Sequence, residues 1–331
     1  MAASLFRPVT TKALPRRSAN AGIDKVQKAE CKVLAEGLRF PEGPVALSDG
    51  SVLVTELAGA AVKRVWPDGT LTVVAETGGS PCGMAIGPDG WAYIANNGGL
   101  IFPPNHFTSI GPSKNYRGGY IQKLEVTTGK VVELYNQYGG QRLSSPNDLV
   151  FDKEGGFYFT DLGKRFETQR DHGGVYYAKA DGSEIRRVIY PLLTPNGIGL
   201  SPDGVRLYVA DTETSRLLAY EIEEPGRVRH HSFPAPYGGR VLLGLPGFQR
   251  FDSLAVEESG NICVATLVTG RLTVISPEGE LVEEVSFDDI YPTNVCFGGP
   301  GLRTAFVTLS ETGRLAALPW PRPGLDLNCN L

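Results

Sequence analysis

One short phrase recurs six times in phase along this 331-residue chain, and that recurrence restricts the fold more tightly than any other feature. The copies are Phe40-Pro41-Glu42-Gly43-Pro44, Ser80-Pro81-Cys82-Gly83, Ser145-Pro146-Asn147-Asp148, Thr194-Pro195-Asn196-Gly197, Arg250-Phe251-Asp252-Ser253 and Tyr291-Pro292-Thr293-Asn294. Counted from Pro41, Pro81, Pro146, Pro195, Phe251 and Pro292, a glycine follows nine residues later every time: Gly50, Gly90, Gly155, Gly204, Gly260 and Gly301. Asp49-Gly50, Asp89-Gly90 and Asp203-Gly204 are the strongest short hairpin signal. An apolar run precedes each turn, as in Leu149-Val150-Phe151, and a second strand follows it, as in Phe157-Tyr158-Phe159-Thr160. Third and fourth strands follow in most copies, as in residues 61–65, the turn Pro67-Asp68-Gly69 and residues 71–74.

The anchors are spaced 40, 65, 49, 56 and 41 residues apart. A four-stranded unit with a period near 40 to 50 residues is the signature of a propeller blade. The expected fold is all-β, a six-bladed β-propeller with four-stranded blades. An open sandwich array or a barrel is the alternative, and six copies in phase argue against it. Little chain remains after Pro319 for an outer strand of the sixth blade, so residues 30–34 are expected to supply it and close the ring. Closure removes open sheet edges, which otherwise invite aggregation. The expected layout is an N-terminal arm over residues 1–28, the propeller over 29–321 and a C-terminal tail over 322–331. The longest interval holds an insertion, about residues 98–119, that leaves after the second strand of blade 2. Strands alternate in direction, so this insertion is expected over the same channel mouth as the starts of the first strands.

Composition narrows the function. The net charge of -4 and the absence of a Lys/Arg-rich run argue against a nucleic-acid partner. No stretch approaches 18 apolar residues, so no membrane span is expected. Cys31, Cys82, Cys263, Cys296 and Cys329 form no CxxC pair, and an odd, scattered set fits reduced thiols in a cytoplasmic protein. The N-terminus lacks a secretory apolar core. Arg7, Arg16 and Arg17, with no acid before Asp24, leave an organelle transit peptide open.

In a propeller the innermost strands line the axis, so equivalent positions form a ring. Glu42, Cys82, Asn147, Asn196, Asp252 and Thr293 are equivalent in this count. Two carboxylates and two carboxamides on one axis are costly unless neutralised. A divalent cation removes that cost. Glu42, Asn147, Asn196 and Asp252 offer only oxygen, the set of a hard cation: Ca²⁺ foremost, with Mg²⁺, Mn²⁺, Zn²⁺ or Fe²⁺ as alternatives. Taken singly, each has a plainer reading as a turn former, loop acid or strand cap. The shared register favours ligation. Cys82 has no histidine in its register or sequence neighbourhood and reads, like Thr293, as a channel-lining residue.

The ends of the second strands give another ring that includes Asn96, Asp161 and Asp211. These either orient the ligands and the substrate or bond backbone between blades. Phe102, Phe107 and Tyr116 of the insertion are expected to form an apolar wall, with His106 as a loop residue within reach.

The phrases around Glu42, Asn147, Asn196 and Asp252 together resemble the gluconolactonase / senescence marker protein / luciferin-regenerating enzyme family, from about Lys32 to Pro319. The resemblance implies that Glu42, Asn196 and Asp252 are metal ligands. It implies that Asn147 binds metal or substrate oxygens through water, and that Asp252 doubles as general base. The implied reaction is metal-dependent opening of a lactone to a hydroxy acid. Ser145 stands where some sugar-lactonase members carry an Arg-x-Asn arrangement. With the aromatic insertion, it points to a lactone more apolar than a free sugar lactone. The expected partner is that small molecule, and oligomerisation is left open. The alternatives are a propeller hydrolase or lyase acting on another ester-like electrophile, and a non-enzymatic binding propeller.

Overall fold

A computed structural model describes residues 26–327, apart from residue 105. Six antiparallel sheets follow one another around a closed ring. Their innermost strands are Pro41–Ala46, Pro81–Ile86, Pro146–Phe151, Pro195–Leu200, Arg250–Val256 and Pro292–Gly298. Each packs against the next, and the last packs back on the first. The protein is a six-bladed β-propeller with four-stranded blades.

The hairpins form where the glycine count puts them. Gly50, Gly90, Gly155, Gly204, Gly260 and Gly301 all have positive φ, from 63° to 87°, which glycine adopts without steric cost. The strands on either side alternate or run apolar, and six apolar clusters result, one in each seam between neighbouring blades. Tyr93, Tyr158, Tyr177, Tyr208 and Tyr220 are among the largest fully buried side chains. Their hydroxyls find partners at the rim: Tyr93 donates to the Ala180 carbonyl at 2.9 Å and Tyr177 to Asp152 at 2.8 Å.

Lys32–Ala35 pairs antiparallel with Arg314–Pro319 and completes the sixth blade, so an N-terminal strand closes the ring. A strand that the repeat count does not show also forms. Val26–Lys28 runs parallel to Leu281–Ser286 and gives blade 5 a fifth, outermost strand. At the other end, Gly324 and Leu325 donate backbone hydrogen bonds to Leu302 and Val256, at the turn side of the channel. The expected arm and tail otherwise fall on residues 1–25 and 328–331, outside the described residues, as does Cys329. Among the described residues, no helix is long and apolar enough to cross a membrane.

The two N-terminal strands are separable by truncation. Among the described residues, a chain starting at residue 30 loses the exposed edge strand Val26–Lys28 and Ala29, and is expected to keep a cooperative thermal transition. One starting at residue 37 lacks the closing strand, bares an edge of blade 6 and is expected to aggregate or melt non-cooperatively. Circular dichroism melts and size-exclusion chromatography of the two chains check this.

Candidate active site

Every innermost strand carries a register shift at the same place, between Glu42 and Val45, Pro81 and Met84, Pro146 and Leu149, Pro195 and Ile198, Phe251 and Leu254, and Pro292 and Asn294. A bulge frees a residue from the ladder and re-aims its side chain. The six ring residues sit at or beside these bulges, and all are buried. The strands approach so closely that the next position is glycine in three blades. A Cβ on Gly43 would strike the Cys82 carbonyl, one on Gly83 the Asp148 carboxylate, and one on Gly197 the Asp252 carbonyl. Threonines lock the ring from blade to blade: Thr55 donates to the Cys82 carbonyl at 2.5 Å, Thr160 to the Asn196 carbonyl at 2.6 Å and Thr293 to the Pro41 carbonyl at 3.0 Å.

Asp252 is buried and hydrogen-bonds Asn196; burial is the main cause that holds its carboxyl up at about 8, reinforced by the charge of Asp148. Glu42 is raised well above its ordinary value, first by burial and then by the charges of Asp252 and Asp148. Its Oε2 accepts from the Gly43 amide and the Asn294 Nδ2, each at 3.3 Å. Asn196 donates to Thr212 Oγ1 at 3.1 Å and accepts from Ser253 Oγ at 3.4 Å. Asn147 is different: its Oδ1 is buried and has no hydrogen-bond partner. Such an acceptor is expensive in a protein interior. Burial and the same three carboxylates raise the Cys82 thiol well above its ordinary value, which disfavours the thiolate a nucleophile needs. Thr293 bonds Pro41, Thr308 and Ser310.

The second ring is occupied by backbone. Asn96 Oδ1 accepts from the Ser80 and Gly98 amides at 2.9 and 3.0 Å. Asp161 accepts from the Ser144 and Ser145 amides, both at 2.7 Å, and from Gly163 at 3.0 Å. Asp211 accepts from the Thr194 amide at 2.9 Å and from Thr214. In all three blades the side chain caps the residue before the proline that starts the inner strand. These are clamps that fix where the ring residues begin.

The insertion reaches two sides of the mouth. Phe102 packs on Phe40 with ring centroids 5.4 Å apart, Phe40 on Tyr291 at 6.2 Å, and Phe107 on Tyr291 at 5.0 Å, so this arm lies against blades 1 and 6. Tyr116 turns the other way and donates to the Ser144 carbonyl of blade 3 at 2.6 Å. His106 is solvent-exposed at the outer turn.

Sequence reasoning passed over three groups here. Asp148 lies one residue beyond the ring, is buried, and holds its carboxyl at about 7 because of that burial. Its signal was the register itself, since the corresponding residues are three glycines, Ser253 and Asn294. Tyr291 lies in the field of Asp252, which acts with burial to raise its phenol. Lys164 is buried at the mouth, in the loop between Gly156–Asp161 and Gly173–Lys179. That loop spans residues 162–172, against only four residues in blade 1, and its length was the available sign.

Past the ring the channel changes character. An apolar cavity of about 350 Å³ opens toward the turn end, lined by Val45, Met84, Leu149, Ile198, Leu254 and Val295. Its walls are mainly apolar, with Asp148 and Asn294 reaching it from beside the ring and Asp152, Lys153 and Asp203 also in its lining, and it does not include Glu42, Asn147, Asn196 or Asp252.

The ring fits a hard cation by the character of its donors. Glu42 and Asp252 are charged oxygen donors made costly by burial, and Asn147 Oδ1 is an acceptor awaiting a partner. Among the described residues no three His, Cys, Asp or Glu side chains form a metal-holding group, so such an ion would depend on the two amides beside the two carboxylates.

A six-bladed propeller with buried oxygen donors at one mouth of its channel is the class that fold and site define. Residues 40–311 match the SMP-30/gluconolactonase/LRE-like family model, and the chain belongs to that family. The gluconolactonase of Zymomonas mobilis is 27% identical over 308 residues, covering 85% of this chain and 79% of its own. A gluconolactonase structure from Xanthomonas campestris superposes with a TM-score of 0.71 at 23% identity, over 90% of this chain and 91% of its own. Regucalcin of Agrobacterium tumefaciens, a calcium-binding protein, gives 0.72 at 18% identity over 93% and 99%. At these identities the two structures show the shared fold.

Two measurements test the electrostatics. Asn147→Ala removes the unpaired acceptor. It is expected to melt at the native temperature or higher in chelator, and to lose most of the stabilisation that calcium gives the native chain. The pH dependence has a definite sign. With Asp148 at about 7 and Asp252 at about 8, against about 4 for a free aspartate, the cation-free native state binds more protons than the unfolded chain. Its stability is therefore highest below pH ~4 with respect to these groups and falls as pH rises through about 8. Melts in chelator from pH 4 to 9 check the fall, and saturating calcium is expected to flatten it.

Proposed function

We propose that this protein is a lactone hydrolase whose Glu42, Asn147, Asn196 and Asp252 hold one divalent cation, calcium foremost, and whose Asp252 moves the proton. The observation that carries the reading is the pairing of buried, proton-avid carboxyls with the orphaned Asn147 acceptor on one ring. The gluconolactonase of Zymomonas mobilis and the drp35 lactonase of Staphylococcus haemolyticus, both 27% identical to this chain, support the reaction class. Regucalcin supports the choice of ion.

A cation so held supplies Lewis acidity toward the ester carbonyl and its developing negative charge. The residues do the rest. Asp252, held by Asn196 and kept from bulk water, is the carboxylate placed to act as base once a cation offsets the cost of its burial. It takes a proton from the attacking water as the new C–O bond forms. When the ring C–O bond breaks, the same proton passes to the leaving alkoxide and gives the hydroxy acid. Asp161 and Asp211 hold the inner strands in place through backbone amides and touch no reacting atom in this scheme. Phe40, Phe102 and Tyr291 give the mouth an apolar wall that excludes water and suits a lactone more apolar than a free sugar lactone.

Asp252→Ala is expected to lower kcat/KM for lactone hydrolysis by roughly 10²- to 10⁴-fold, and chelation to abolish it until a divalent ion is restored. Hydrolysis of a lactone panel followed by pH-stat checks both. Survival of the activity through both treatments would overturn the assignment.

A further inference from the structure

The mouth also holds a cation of the protein's own. Lys164 is only 3% exposed. Its ammonium donates to the Asn97 carbonyl at 2.7 Å and to Asn97 Oδ1 at 3.4 Å, and lies 4.6 Å from the centre of the Tyr116 ring. Asp161 and Asp171 act on it through space, yet among the described residues neither forms an ion pair with it. Their oxygens are engaged elsewhere, Asp161 by three backbone amides and Asp171 by Ser144 Oγ at 2.9 Å. Lys164 thus sits between Asn97, just past the second strand of blade 2, and the Tyr116 ring of the insertion.

A buried ammonium without a bonded anion is costly, and here burial pulls its pKa down to about 8. If its task were to pin Asn97 to blade 3, a neutral glutamine would meet the same carbonyl without that cost. What a neutral side chain cannot supply is the full positive charge that offsets the cost of burying an anion in a site screened from water. The ring side chains carry no positive charge of their own to take that role.

We propose that Lys164 is a specificity-determining residue that takes a carboxylate carried by the substrate, beside the ester on which the ring acts. This deepens the lactonase reading and rests on it. The substrate class is then a lactone that bears a carboxylate, with its apolar body against the aromatic wall.

The test uses the calcium-loaded full chain with γ-butyrolactone and its carboxylated analogue 5-oxotetrahydrofuran-2-carboxylate. The native protein is expected to prefer the carboxylated lactone at least tenfold in kcat/KM. Lys164→Met keeps the stem and should lower that preference ratio at least tenfold, mainly through KM, whereas Lys164→Arg should keep part of it. A preference ratio left unchanged by Lys164→Met, with both substrates impaired alike, would show a structural latch and overturn the proposal. Calorimetric titration with glutarate separates this from the reaction class. If neither lactone is hydrolysed, the lactonase reading fails. Glutarate binding weakened at least tenfold in Lys164→Met, with the melting temperature held, then still upholds the carboxylate site. Equal glutarate binding by the two chains overturns it.

Discussion

Closure of the ring is the constraint on which the rest depends. Each blade buries one face of its sheet against the next blade, and six apolar seams do this in turn. The seams hold only if the last blade meets the first, which Lys32–Ala35 secures by pairing with Arg314–Pro319. Burying a single Leu- or Phe-sized side chain contributes roughly 1.5–3 kcal/mol, so the seams can carry a polar axis that would be unaffordable in a small domain. The closed ring brings the starts of six inner strands around one axis.

The polar axis then divides by function. Asn96, Asp161 and Asp211 satisfy backbone amides and fix the strand starts. Because these clamps and the inter-blade threonines hold the frame, the ring side chains need not hold it. Glu42, Asp252 and Asn147 keep oxygens that the protein itself does not satisfy well. Raised carboxyls and an unpaired amide oxygen are the same fact seen twice: the interior supplies too few positive groups for its acceptors. In the function proposed above, a hard cation would correct that imbalance at the ring, while Lys164 lies beside the Tyr116 ring of the insertion.

Much of this was legible because a repeat converts sequence register into spatial equivalence. The glycine count located all six hairpins, and each of those glycines has the positive φ that such a turn demands. The ring residues followed from the same count. Asp148 escaped because the period was read at a single position, although the next position alternates between glycine and a polar residue for a reason. The inner strands touch there, and a side chain fits only where its neighbour has none, as Asp148 fits over Gly83. Lys164 and Tyr291 escaped because they belong to a loop and to an anchor's flank, where no period applies.

The sequence by itself determined the number of blades, the hairpins, the closing strand and the identity of the ring residues. All of these depend on local turn chemistry and on a period that survives in one dimension. Tertiary structure alone decided which polar groups are spent and which are free. It turned Asn96, Asp161 and Asp211 into clamps, left Asn147 Oδ1 unpaired, laid Phe102 and Phe107 against blades 1 and 6, and added Val26–Lys28 to blade 5. The physical reason is that hydrogen-bond partners and burial are set by neighbours distant in the chain. An aspartate reads the same in sequence whether its oxygens meet three amides or none.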